Sequence, residues 1–198
     1  MATNIGETVF FHEDLCRQRE ILPAECLAFC LEQAALIRGT AADSDGRECV
    51  IRQVEPVALR SKNISLAELE KRLAGLRLKK KKVKTGYGGV CTEDCPCTVA
   101  FCADGGLEEA PAASGNGELP KAPLTLFCDF DEDRMITALW FDHWDGLDEE
   151  RQNLFRQILK VIRQLGPFIL ADWFWLAVFD LDDDRHLDRI MELSGRLD

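Results

Sequence analysis

Four cysteines fall within one short stretch, Cys91-Thr-Glu-Asp-Cys95-Pro-Cys97-Thr-Val-Ala-Phe-Cys102. Four thiolates satisfy tetrahedral zinc, and Gly86, Gly88 and Gly89 upstream would let a loop close around a metal. The spacing lacks two Cys-x-x-Cys pairs, however, and 97 to 102 reads as a strand whose thiols point to both faces. Reduced, partly buried thiols are the simpler expectation, with Cys26 and Cys30, one helical turn apart, in the core. No cofactor is therefore expected, and zinc at Cys91, Cys95, Cys97 and Cys102 is the alternative. Two acidic triplets, Asp129/Asp131/Asp133 and Asp180/Asp182/Asp184, could offer oxygen ligands to calcium or magnesium. Neither fits a calcium-binding helix–loop–helix, because Arg134 and Arg185 occupy the sixth position, where glycine is needed.

The apolar run ending in Cys128-Asp129-Phe130-Asp131 resembles the first motif of the haloacid-dehalogenase-like phosphatases. That resemblance implies Asp129 as the nucleophile toward a phosphoryl group, Asp131 as acid/base and Asp182-Asp183 as holders of magnesium. It covers only these residues. The motif lies late in the chain, Asp133 replaces the usual small hydroxyl residue or Val, and the second acidic pair follows too closely. Read without it, the first triplet is a hairpin turn and the second a loop before a helix. Other catalytic signals are missing from the sequence: there are three histidines, no Gly-x-Ser-x-Gly elbow and no phosphate-binding glycine loop before a helix. An enzyme is not expected.

The remaining chemistry is aromatic and acidic. Trp140-Phe-Asp142-His-Trp144-Asp145-Gly146 and Asp172-Trp-Phe-Trp175, with Phe179-Asp180-Leu-Asp182-Asp183-Asp184 and His186, combine ring anchors with carboxylates. A hot spot for a basic protein has this chemistry, the rings giving contact area and the carboxylates steering. The expected partner-binding residues are Asp142, Trp144, Asp145, Asp180, Asp182, Asp183, Asp184 and His186. Trp144 is expected to be exposed, since a turn at Asp145-Gly146 follows it. The bland alternative makes Trp173 and Trp175 core residues and the acids a solubilising surface.

Positioning these groups requires an α+β domain, a mixed or antiparallel sheet with helices packed on it. A helix is read over Pro23–Arg38 with Gly39 as its stop, then a polar loop over Thr40–Arg47 and a strand over Cys49–Leu59. Ser65 and Glu68 form a capping box, with Ile64 and Leu69 placed as a staple and Leu66, Leu69, Leu73 and Leu76 as the apolar stripe. The run Lys79–Lys84 reads as a loop or edge strand. Residues 103–123, rich in Gly, Pro and Ala, read as a mobile loop. Strands over Leu124–Phe130 and Met135–Asp142 form a hairpin in which Leu124, Leu126, Cys128 and Phe130 share a face. A helix opens at Asp148-Glu149-Glu150, buries Leu154, Ile158, Val161, Ile162 and Leu165, and ends at Gly166-Pro167. Phe168–Leu181 reads as a buried strand or a short buried helix, its aromatic and β-branched content favouring the strand, and Arg185–Leu193 as a last short helix.

Charge narrows the class of partner. Residues 1–100 carry 15 Lys/Arg against 14 Asp/Glu, whereas residues 101–198 carry 9 against 21. A net charge of −11 and a pI near 4.8 disfavour nucleic acid, whose phosphates most of the surface would repel. The most apolar stretch is too short to cross a membrane, no secretory leader is visible, and nine cysteines suggest a reducing cytoplasm. The expectation is a single domain over 1–198 that binds a basic protein, such as a toxin or nuclease, as an inhibitor of immunity type. The alternatives are structural zinc, a magnesium-dependent phosphatase-like enzyme, or an assembly subunit meeting a copy of itself.

Overall fold

Every element that positions the acidic and aromatic groups hangs on one sheet. The computed structural model describes residues 8–12, 17–43, 53–86, 93–103, 124–142, 144 and 146–196. Its strands are β1 (Thr8–His12), β2 (Arg19–Pro23), β3 (Leu78–Gly86), β4 (Glu93–Ala103), β5 (Thr125–Phe130), β6 (Ile136–Asp142), β7 (Phe168–Asp172) and β8 (Ala177–Asp180). The helices are α1 (Leu27–Asp43), α2 (Leu66–Leu73), α3 (Glu149–Arg163) and α4 (Asp184–Ser194). Strand order is β1-β3-β4-β5-β6-β2-β7-β8, antiparallel throughout except for the edge pair β1–β3. The chain is α+β, and strands from both of its halves belong to the same sheet. Among the described residues no helix is long and apolar enough to cross a membrane.

Two-residue alternation divides the sheet into faces. Leu124, Leu126, Cys128 and Phe130 share the main core with the buried sides of α2, α3 and α4. Leu66, Leu69 and Leu73 of α2, and Phe155, Ile158, Leu159 and Ile162 of α3, supply those sides. Ser65 caps α2 by accepting from the Glu68 N–H, and Asp148 caps α3 by accepting from the Arg151 N–H. The opposite face carries two smaller clusters. Phe127 stacks on Trp140 beside Val83 and Cys102 in one, and Leu22, Ile169 and Ala171 meet Cys26 and Cys30 in the other.

Several expectations are corrected. Pro23 ends β2, and α1 begins only after a short 3-10 helix at Ala24–Cys26. Gly39 does not stop α1, which runs on to Asp43. The described part of the expected Cys49–Leu59 strand is irregular and leads into a 3-10 helix at Leu59–Lys62. Its groups bond to α1 and to the 3-10 helix before it: the Gln53 N–H donates to Gln33 Oε1, and the Val57 carbonyl accepts from Cys26 Sγ. Phe168–Leu181 is a hairpin rather than one strand, broken by a four-residue aromatic turn. The lysine run is β3, one strand in from the edge, with β1 covering Lys82–Gly86. Residues 104–123 of the expected loop lie outside the described residues.

An added Cβ at Gly39 would meet nothing within 4 Å. Glycine inside a helix costs about 0.5–1 kcal/mol relative to alanine. Gly39→Ala is expected to raise stability by that amount in urea unfolding, and a loss of stability would show that the helical environment of Gly39 is not as described.

Candidate functional site

The centre of the site is a carboxylate inside the sheet. Asp172 ends β7 directly opposite Arg19, the first residue of β2, so their side chains meet on one face. Arg19 Nε donates to Asp172 Oδ2 at 3.1 Å, with 10% of the arginine side chain and none of the aspartate exposed. Trp144 Nε1 donates to the same oxygen at 3.0 Å. The other oxygen, Oδ1, accepts from the Trp175 N–H at 2.8 Å and so pins the turn that follows. The Arg19 guanidinium also lies 5.8 Å from the Trp144 ring and 5.6 Å from the Phe174 ring.

Trp144 is therefore not the exposed anchor expected of it. It is 1% exposed, packed edge-on against Phe155 and Phe179. Gly146, at φ 65°, turns the chain so that its N–H reaches the Arg196 carbonyl, and Trp144 is folded inward over β7. Among the described residues the exposed ring is Phe174, 65% accessible at the tip of the β7–β8 turn. Trp173 is held on the far face by Nε1 donating to Glu20 Oε1 at 2.8 Å, and Trp175 packs against the main core. Leu176 completes the turn at φ 53°, a left-handed conformation unusual for a bulky residue, with its carbonyl accepting from Arg38 Nη2 of α1. The three consecutive aromatics of 173–175 are a visible signal for this tip, but their faces follow from where β7 stops.

At the other end of β8 lies the acidic row. Asp180 Oδ1 accepts from the Asp182 N–H, and the Asp180 N–H donates to His186 Nδ1, both at 2.9 Å. His186 also sets its ring edge-on to Phe179, so it closes the sheet edge onto α4 rather than facing a ligand. Asp183 caps α4 by accepting from the Arg185 N–H. Arg163 of α3 reaches Asp182 at 3.2 Å and Asp184 at 2.7 Å, while Arg156 reaches Asp188 at 2.8 Å. The Arg185 guanidinium, followed by its backbone N–H, holds the Asp183 carboxyl at about 2, below its ordinary value of 3.8.

Of the expected partner-binding residues, the structure brings Asp180, Asp182, Asp183, Asp184 and His186 together. Asp142 ends β6 opposite Thr125, and Trp144 is buried near it, at the end of the sheet away from the acidic row. Along the strand direction about 10 Å, the length of β8 at the usual rise, separates Asp142 from the acidic row, whereas the buried Trp144 ring reaches Phe179, the residue before Asp180. Asp145 lies outside the described residues. The acids of the phosphatase-like motif do not converge either. Asp129 pairs with Arg17 at 2.8 Å and accepts from Thr98 Oγ1, whereas Asp131 pairs with Arg60 and accepts from the Met135 N–H. Arg60 and the Met135 N–H hold the Asp131 carboxyl below its ordinary range, the backbone bond having the larger effect.

The possible zinc ligands are also dispersed. Cys102 is buried and accepts from Thr125 Oγ1, Cys95 is half-buried and Cys97 is exposed, while Cys91 lies outside the described residues. Among the described residues no three His, Cys, Asp or Glu side chains are grouped to hold a metal. Compared with known proteins, the chain matches no family model, no curated protein and no solved structure.

Removing one member of a buried ion pair typically costs about 3–5 kcal/mol. Asp172→Asn is expected to lose that much in urea unfolding, and Arg19→Met in the same chain to recover part of it. A coupling energy near zero between the two positions would show that the pair is energetically idle. Asp183, ionised down to about 2, stabilises the fold above its ordinary range, and this contribution is lost as pH falls through about 2. In Arg185→Gln its NMR carboxyl titration is expected to move up toward 3.8; an unmoved midpoint would exclude the guanidinium as the cause.

Proposed function

We propose that this chain acts by binding a positively charged protein, as an inhibitor of immunity type that neutralises a basic toxin or nuclease. The observation that carries the reading is the outward row of Asp182, Asp184 and Asp188 along the start of α4. The Asp184 and Asp188 side chains are 79% and 66% exposed, although Arg163 and Arg156 hold them in place. Ion pairs this exposed are worth roughly 0–1 kcal/mol each, so an incoming lysine or arginine competes with them at small cost. The acids are thereby ordered before a partner arrives, which lowers the entropy lost on binding.

Long-range charge supports the same reading. The excess of 21 acids over 9 bases in residues 101–198 attracts a basic partner during diffusion and accelerates encounter at low salt. Phe174, held out on a strained turn at the other end of β8, offers an apolar contact of the type found in binding hot spots. A reducing cytoplasm accords with the nine cysteines and belongs to this proposal rather than to the fold.

The test keeps Asp183, because it caps α4. Tagged wild-type chain and the Asp182→Asn, Asp184→Asn, Asp188→Asn variant are exposed to host-cell extract at low and high salt, and the association rate of any captured protein is then measured. A basic protein held by the wild type at low salt and released at high salt is expected, with the variant associating about tenfold more slowly. Equal rates for the two chains at low salt would remove the acidic row from the binding surface.

A further inference from the structure

Strand β4 carries an excursion that ladder geometry does not require. It pairs with β3 from Leu78–Ala103 to Lys82–Val99, and pairing resumes at Lys84–Asp94. Between these points the single residue Val83 of β3 faces the four residues 95–98 of β4. Pro96 lacks an N–H and is tolerated within a sheet at a bulge. One extra residue makes an ordinary bulge, yet here the whole Cys95-Pro96-Cys97 unit leaves the ladder. Thr98 then rejoins the sheet opposite Asp129 of β5.

Among the described cysteines, the excursion sets two thiols apart. Cys26, Cys30, Cys102 and Cys128 are buried, whereas Cys97 is exposed and Cys95 half-buried. Residues two apart in a chain are separated by at most about 7 Å between Cα atoms, and by less where the chain bends. Disulfides span Cα separations of about 4.4–6.8 Å. A bend of the chain at the bulge brings a pair two residues apart into the range a disulfide spans.

We propose that Cys95 and Cys97 form a redox dithiol that is closed to an intramolecular disulfide by low-molecular-weight disulfides. Cys97, the accessible thiol, reacts first. Its thiolate attacks one sulfur of the reagent disulfide, whose S–S bond breaks as the Cys97 mixed disulfide forms. The departing thiolate carries the electron pair and takes up the proton that Cys97 lost. Cys95 then attacks Cys97 Sγ, forming the protein S–S bond and expelling the second reagent thiolate, which takes the Cys95 proton. Two protein thiols are oxidised and one small disulfide is reduced to two thiols.

The order follows from the surroundings. Cys95 packs against the cluster containing Val83 and Ala100. Burial, then the charge of Asp129, pushes its thiol up. A thiol held protonated is a poor first nucleophile toward a reagent in solution. It is an adequate second one, because its target is two residues away and the effective concentration is high.

The experiment uses the full chain, reduced and then incubated with oxidised glutathione, quenched in acid and alkylated. Cleavage after Glu93 separates Cys91 from the pair, and fragmentation mass spectrometry locates each modification. The wild type is expected to yield a peptide two hydrogens lighter, with Cys95 and Cys97 both protected from alkylation and carrying no glutathione. Cys95→Ser is expected to retain glutathione on Cys97, and Cys97→Ser to be modified at Cys95 about tenfold more slowly. Three results would overturn the proposal: glutathione persisting on wild-type Cys97, a bond from either thiol to another cysteine, or no reaction at either thiol.

Discussion

Strand β2 is the constraint on which the architecture turns, and its burial depends on the pairing of Arg19 with Asp172. This five-residue strand from the first part of the chain inserts between β6 and β7, with every residue buried. It carries a guanidinium and a carboxylate into the interior, one to each face. Arg19 meets Asp172 on the helix-covered face, and Glu20 meets the Trp173 indole on the other. Desolvating such groups costs several kcal/mol per ion unless charge and hydrogen bonds compensate. Both compensating groups lie at the end of β7, so the register of β2 on β7 is tied to the chemistry of one short segment. A shift by one residue would turn each charge to the opposite face.

The same carboxylate organises the aromatics. Asp172 takes Trp144 with one oxygen and the start of the β7–β8 turn with the other. Trp144 is thereby drawn into the core beside Phe155, while Phe174 is left outside. Which aromatic is a core residue and which a surface contact is thus decided by a buried hydrogen-bonding centre, not by hydrophobicity. At the opposite end of β8 the acids have a double character. Asp183 and Asp180 are spent on the cap of α4 and on the chain turn before it, and His186 closes the edge strand. Asp182, Asp184 and Asp188 tie α4 to α3 through Arg163 and Arg156, yet remain open to water. Bracing of this kind leaves the acids hydrated, since weak exposed pairs order side chains without saturating them.

The elements readable along the chain are those whose signals are local. The Ser65 cap (whose expected partner carboxylate, Glu68, turns instead to Arg72), the leucine stripe of α2, the alternation of Leu124, Leu126, Cys128 and Phe130, and Asp148 before α3 all act within a few residues. Each appears where its pattern places it. β2 was not legible, because Arg19-Glu20 argues against a central strand unless Asp172 and Trp173 are known to wait for it. Nor was the passage of α1 through Gly39: the helix is held by contacts to β8 and the neighbouring strand β7, which outweigh one unfavourable residue.

The amino-acid sequence by itself determined the α+β class, the capped helices, the β5–β6 hairpin and the acidic bias of the second half. Tertiary structure decided that Trp144 is core and Phe174 surface, that the acidic row is braced by arginines, and that Cys95 and Cys97 leave the ladder together. Caps, turns and periodicity depend on atoms a few residues apart, so they can be read along the chain. Burial and charge pairing depend on partners such as Arg19 and Asp172, 153 residues apart, which meet only once the sheet has assembled.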